Sequence, residues 1–196
     1  MLERVRQAAV ERGYEITTRQ HTAEEMPYAD GTFDLVTCRI AAHHFSSPQA
    51  FVAESARVLK PGGWFLLIDG SIDDDQREAE EWIHAVEILR DPSHHRFLTP
   101  HVWSNLCEQH GLNVRSAELV PFKQPDLEWY FDTAATSSQN RALVWQLIRD
   151  ASAKVRDVFQ LAEENGKTIW WWPRLTLIAE KVTRSDGRPR SAVDGV

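Results

Sequence analysis

Positive charge, cysteine, glycine-rich loops and long apolar runs are all scarce in this chain of 196 residues, and each shortage excludes something. Lys and Arg number 22 against 29 Asp and Glu, a formal charge of −7. A general nucleic-acid binder needs the opposite balance on one face, so no nucleic-acid partner is expected. Basic residues gather only at Arg184, Arg188 and Arg190, inside a Gly-, Ser- and Pro-containing end. That end, residues 183–196, reads as a disordered tail behind one domain over 1–182. Cys38 and Cys107 make neither a disulfide framework nor a CxxC site, and a reducing cytoplasm is the expected compartment. The longest apolar stretches, such as Trp64 to Ile68, are far too short to span a bilayer. Met1 leads straight into a charged amphipathic stretch, which is not the pattern of a secretory signal. No G-x-G-x-x-G loop is present, which removes the main reason to consider a dinucleotide enzyme.

What is there alternates between two periods. Leu2, Val5, Ala8 and Ala9 recur at helical spacing before Gly13. Tyr14 to Arg19, with Ile16, Thr17 and Thr18, predicts a short strand. Phe33 to Cys38 predicts a central one. Ser47-Pro48 opens a helix with apolar positions Phe51, Val52, Ala56 and Leu59, and Lys60-Pro61-Gly62-Gly63 stops it. Trp64 to Ile68 is a strand ending at Asp69-Gly70, and helices follow over Ala79–Leu89 and from Thr99-Pro100 to Gly111. Leu112 to Val120 is a strand candidate, the stripe from Leu143 to Ala162 predicts one helix or two, and Thr168 to Val182 a last strand. Strands alternating with helices imply an α/β sheet with parallel crossovers.

Three stretches carry a resemblance. Ala23-Glu24-Glu25-Met26-Pro27-Tyr28, continued by Asp30-Gly31-Thr32-Phe33-Asp34-Leu35-Val36, is similar to a "DAexLPFxDxxFDxV" segment. Cys38 to Phe45 is similar to "CRxALHHF", and Arg57 to Gly63 to "RVLKPGG". In this order and spacing they resemble class I S-adenosylmethionine-dependent methyltransferases of the ubiquinone/menaquinone-biosynthesis type, over about residues 1–70. The resemblance implies a Rossmann-like sheet of order 3-2-1-4-5-7-6 with helices on both faces. It also implies a first strand, a D/E-x-G-x-G-x-G loop and a second strand ahead of Met1-Leu2. None of these occurs in the 196 residues, so an N-terminally truncated form is expected. Such a chain should be less stable and prone to self-association, unless Tyr14 to Arg19 pairs with Phe33 to Cys38.

The same resemblance implies a function: methyl transfer from S-adenosyl-L-methionine to a small-molecule methyl acceptor. The alternative is a methyltransferase-like chain that is non-catalytic, degenerate or a partner subunit. Ligands in such sheets sit beyond the carboxyl ends of the strands, which brings Thr22, Ala23, Glu24 and the turn from Arg39 to His44 together. Thr22 stands where relatives usually carry an Asp for the adenine amino group. Ala23 offers a backbone amide, and Arg39 lines the methionine part of the cofactor. His43 and His44 are the catalytic candidates, as base or acceptor contact, with packing at the start of the next helix as the competing reading. A metal held by His43, His44, His94, His95 and His101 is not expected, because adjacent histidines diverge and no HExxH or Cys/His spacing occurs. Asp69 reads as a turn former or a cleft residue. Trp170-Trp171-Trp172-Pro173 reads as cover for a sheet edge in preference to a pocket wall.

Overall fold

The computed structural model describes residues 2–183. Helix α1 (Leu2–Glu11) comes first and packs lightly, with only Ala9 buried. Tyr14 to Arg19 forms no strand: the segment is irregular, pairs with no strand and is exposed apart from half-buried Thr18. Its β-branched residues favour a strand only where they also have a face to bury, and this segment buries none.

Strand β1 (Phe33–Arg39) leads through a 3₁₀ turn at Ala42–His44 to helix α2 (Pro48–Val58). The Ser47 hydroxyl caps that helix by accepting from the Ala50 amide at 3.2 Å, and Pro48 supplies the first helical residue. Strand β2 (Leu59–Gly70) begins directly at the helix end, five residues earlier than its apolar run suggests. Helices α3 (Arg77–Arg90) and α4 (Pro100–Gln109), the latter capped by Thr99, precede strand β3 (Leu112–Lys123). Helices α5 (Leu127–Thr133), α6 (Ser138–Arg149) and α7 (Ala153–Val158) follow. The predicted stripe is thus two helices, with the Ser152 side chain capping the second. Its last member, Ala162, belongs instead to a small hairpin, β4 (Ala162–Glu164) and β5 (Lys167–Ile169). Strand β6 (Trp171–Lys181) closes the described part.

The sheet runs β1-β2-β6-β3. β1 and β2 are parallel, while β6 lies antiparallel to both of its neighbours. Only the β1–α2–β2 connection is therefore a parallel crossover, and the sheet is mixed. This order corresponds to 4-5-7-6 of the expected arrangement. Trp170 and Trp172 are buried in the core with residues of α3, α5 and α6 and do not lie over a sheet edge, contrary to the expectation. Alternate residues Phe65 and Leu67 of β2 and Leu175, Leu177 and Ala179 of β6 are fully buried with Phe51, Val52, Trp103 and Cys107 of α2 and α4. A second cluster joins Ile83 and Val86 of α3, Phe131 of α5, Val144 of α6, Phe159 and Trp170. No helix among the described residues is long and apolar enough to cross a membrane.

Candidate active site

The site is built where β1 and β2 end. Ile40, the first residue past β1, adopts φ = +50°, uncommon for a β-branched side chain, while its amide bonds the Ile68 carbonyl at 2.8 Å. The sharp turn sends the chain across the end of β2, where Asp69 is waiting. One Asp69 carboxylate oxygen accepts from the His43 backbone amide at 2.8 Å and the other meets His43 Nδ1 at 2.7 Å. The second oxygen also accepts from the Gly70 amide at 2.9 Å. Both side chains are buried, at 5% and 2% exposure, so the pair stays out of water. Asp69 accordingly does more than form a turn. An acceptor on Nδ1 makes that nitrogen the donor and leaves Nε2 as the ring's acceptor.

Phe97 wedges this arrangement in place. Its ring lies 5.2 Å from His43 and 5.1 Å from Trp172, centroid to centroid, directly above Gly70. His44 is tied separately, its Nδ1 3.1 Å from both the carbonyl and the hydroxyl of Ser93. His94 sits beside His43 with centroids 5.4 Å apart, and neither of its ring nitrogens has a partner among the described residues. Burial, helped by His43, His84 and His44, pushes its pKa down to about 3.

Arg39, His43 and His44 line one cavity of about 340 Å³. Trp172, Tyr130 and Arg174 line it too, drawn from α5 and the start of β6. Trp172 is thus a wall of the cavity. Beneath it Tyr130 donates to Glu87, and Arg90 bonds Glu87 at 2.9 Å with its guanidinium 3.8 Å above the Tyr130 ring. Burial holds the Tyr130 hydroxyl protonated, well above its usual range, and raises Glu87 against the pull of Arg90.

The other three sequence candidates lie elsewhere. Thr22 makes a backbone bridge to Glu25 and lines a separate shallow depression with Arg19 and His21. Ala23 packs against the core of α2 and β2. The Glu24 carboxylate accepts from the Ser46 amide at 3.0 Å, the Ser46 hydroxyl at 3.1 Å and the Ser47 amide at 3.4 Å, latching its loop to the start of α2. Burial opposes its ionisation, but these bonds win and keep it below the ordinary carboxylate range. Sequence reasoning passed over Tyr130, Glu87, Arg90 and Arg174. They lie outside the motifs, and nothing but folding brings them to the strand ends. Cys38 and Cys107 are no nucleophiles, since burial pushes each thiol up to about 12.

A methyltransferase-domain family model matches residues 1–67. The methyltransferase YcgJ of Bacillus subtilis is 32% identical over 180 residues, covering 91% of this chain and 70% of that protein. Its crystal structure matches with a TM-score of 0.83 over 93% of this chain and 79% of that one. YafE of Escherichia coli is 40% identical over 169 residues, 84% of this chain and 79% of its own. Geranyl diphosphate C-methyltransferase from Streptomyces coelicolor, solved with Mg2+, geranyl diphosphate and S-adenosyl-L-homocysteine, shares the fold at 15% identity and a TM-score of 0.55 over 92% of this chain. The chain belongs to the class I S-adenosylmethionine-dependent methyltransferases.

Proposed function

We propose that the cavity at the ends of β1 and β2 is the acceptor end of a methyl-transfer site, that the acceptor is a small organic molecule, and that His43 takes its proton. The observation that carries this is the buried pair that His43, on the cavity wall, makes with Asp69 behind it. Asp69 fixes the tautomer and stabilises the imidazolium that forms when Nε2 accepts a proton, the division of labour of other histidine–carboxylate pairs. Phe97 and the backbone bonds to His43 keep the ring in one place, so alignment is built in before any ligand arrives.

Arg39 fits the methionine end of S-adenosylmethionine: it lines the cavity, and no carboxylate among the described residues pairs with it. When bound, that cofactor supplies a methyl group on a positively charged sulfur with a good leaving group. Arg39 would hold its carboxylate, and the methyl would be used on the His43 side. Thr22 and the amide of Ala23 are proposed for the adenine end, at the separate depression that Thr22 lines with Arg19 and His21. His44 is proposed as an acceptor contact. Self-association is proposed through the free edge of β1.

The competing reading is a methyltransferase-like chain that does not take the cofactor. The two readings part on calorimetric titration of the whole chain with S-adenosylmethionine and S-adenosyl-L-homocysteine. It is paired with transfer of labelled methyl to a panel of small hydroxylated and amino compounds. We expect binding by the wild-type chain and by His43→Asn alike, with turnover reduced ~10²- to 10⁴-fold in the variant. Absence of cofactor binding establishes the non-catalytic reading. Undiminished turnover in His43→Asn removes the base from the proposal.

A further inference from the structure

Charge around the cavity does not balance. Every carboxylate in or under it is already engaged: Asp69 by His43 and Gly70, Glu87 by Arg90 and Tyr130, and Asp91 by the Ser93 amide and hydroxyl at 2.9 and 2.7 Å. Arg90 is spent on Glu87. Arg174 is not spent. It is half-buried, its guanidinium lies 4.3 Å over the Phe122 ring, and no acceptor among the described residues meets it. In a chain of net charge −7 an unpaired guanidinium in a cavity is unusual, because acidic partners are plentiful.

The strand register explains how it gets there. Arg174 is paired with Gly70 on one side and Val120 on the other, and Phe122 with Trp172. Paired residues share a face, and alternate residues along a strand do too, so Arg174, Phe122 and Trp172 project together. Gly70 contributes no side chain that could screen the guanidinium. One more donor lines the same cavity: the Gln124 side chain, on a residue only 4% exposed, makes no hydrogen bond among the described residues. An arginine and an amide, walled by Tyr130, Phe122 and Trp172, make a cationic and aromatic end.

From this we infer that the methyl acceptor is a small organic anion, a carboxylate or phosphate on an aromatic-sized apolar body. Arg174 and Gln124 hold its charged group, and the body lies against Trp172 and toward His43. The inference rests on the methyl-transfer reading for the word acceptor, but the binding preference it asserts does not depend on turnover. A guanidinium presents paired donors that match the oxygens of either group.

Matched probes test it without turnover: 4-hydroxybenzoate against 4-hydroxybenzamide, and phenyl phosphate against phenol, titrated calorimetrically into the whole chain. At least one anion should bind tenfold or more tightly than its neutral counterpart, and which one does distinguishes carboxylate from phosphate. Arg174→Gln should erase that preference, Arg174→Lys should keep part of it, and Arg115→Gln on the outer surface should leave it unchanged. Thermal unfolding of each variant checks that it is folded. Neutral probes binding as well as anions, anions bound equally by Arg174→Gln, or no anion bound at millimolar concentration would each overturn the inference. None of these results touches the His43 experiment, which reads cofactor binding and turnover.

Discussion

At Gly70 there is no room for a methyl group. A Cβ there would fall 2.8 Å from two carbons of the Phe97 ring. Phe97 is 3% exposed and held between His43, His94 and Trp172, so the ring cannot swing away cheaply. Gly70→Ala is expected to cost about 1–3 kcal/mol, the range for overpacking a dense site, read as a lowered midpoint in urea. An unchanged midpoint would show that Phe97 relocates freely and does not position His43. Asp69 and Gly70 were visible in the sequence as a strand-end pair, but that pattern fits an ordinary turn equally well. The distinction came from His43, 26 residues away, arriving over the carboxylate.

Among the elements, those with local causes were legible. Ser47-Pro48 and Thr99-Pro100 begin helices, and Phe33 to Cys38 is a strand, because caps, fixed φ and apolar runs act within a few residues. The hairpin at Asn165-Gly166 also has a local cause. An Asn-Gly pair with φ of 53° and 71° is a favoured two-residue connection between antiparallel strands. The strand predicted at Tyr14 to Arg19 failed for the opposite reason, since pairing is a tertiary event. Its absence leaves β1 at the sheet edge, with Leu35 at 54% exposure next to its partner Trp64 at 42%. An edge strand with neighbouring exposed apolar side chains invites another strand. Light scattering should therefore show mass rising with protein concentration, and Leu35→Lys should shift the chain toward monomer. A monomer at all concentrations in the wild type would sink the self-association proposal.

Stability of the molecule as a whole should fall in mild acid, and His94 supplies a definite part of that fall. Burial first, then the neighbouring His43, His84 and His44, push its folded pKa to about 3, against about 6.5 in the unfolded chain. Below pH 6.5 the unfolded state takes up a proton that the folded state refuses, so stability is lost as pH drops toward 3. Between pH 7 and 4.5 this one group accounts for about 2–3 kcal/mol. Over that interval Glu54, held near 2 mainly by its bond from Arg57, contributes little and acts mostly below it. His94→Phe, which keeps an aromatic ring among Phe97 and His43, should flatten the denaturation midpoint against pH between 7 and 4.5. An unaltered slope would mean that His94 takes its proton without unfolding.

The sequence by itself determined the family, through three short motifs, and most of the secondary structure, through capping, periodicity and apolar runs that act over one or two turns of chain. It also brought Arg39, His43 and His44 to one place, because they follow one strand within six residues. Tertiary structure alone decided which of these has a partner, placing Asp69 under His43 and Ser93 beside His44. It alone moved Thr22, Ala23 and Glu24 away from that cavity and brought Tyr130, Trp172 and Arg174 to it. The reason is reach. Backbone preferences are set by near neighbours, whereas a cavity wall is assembled by sheet register and core packing across more than a hundred residues.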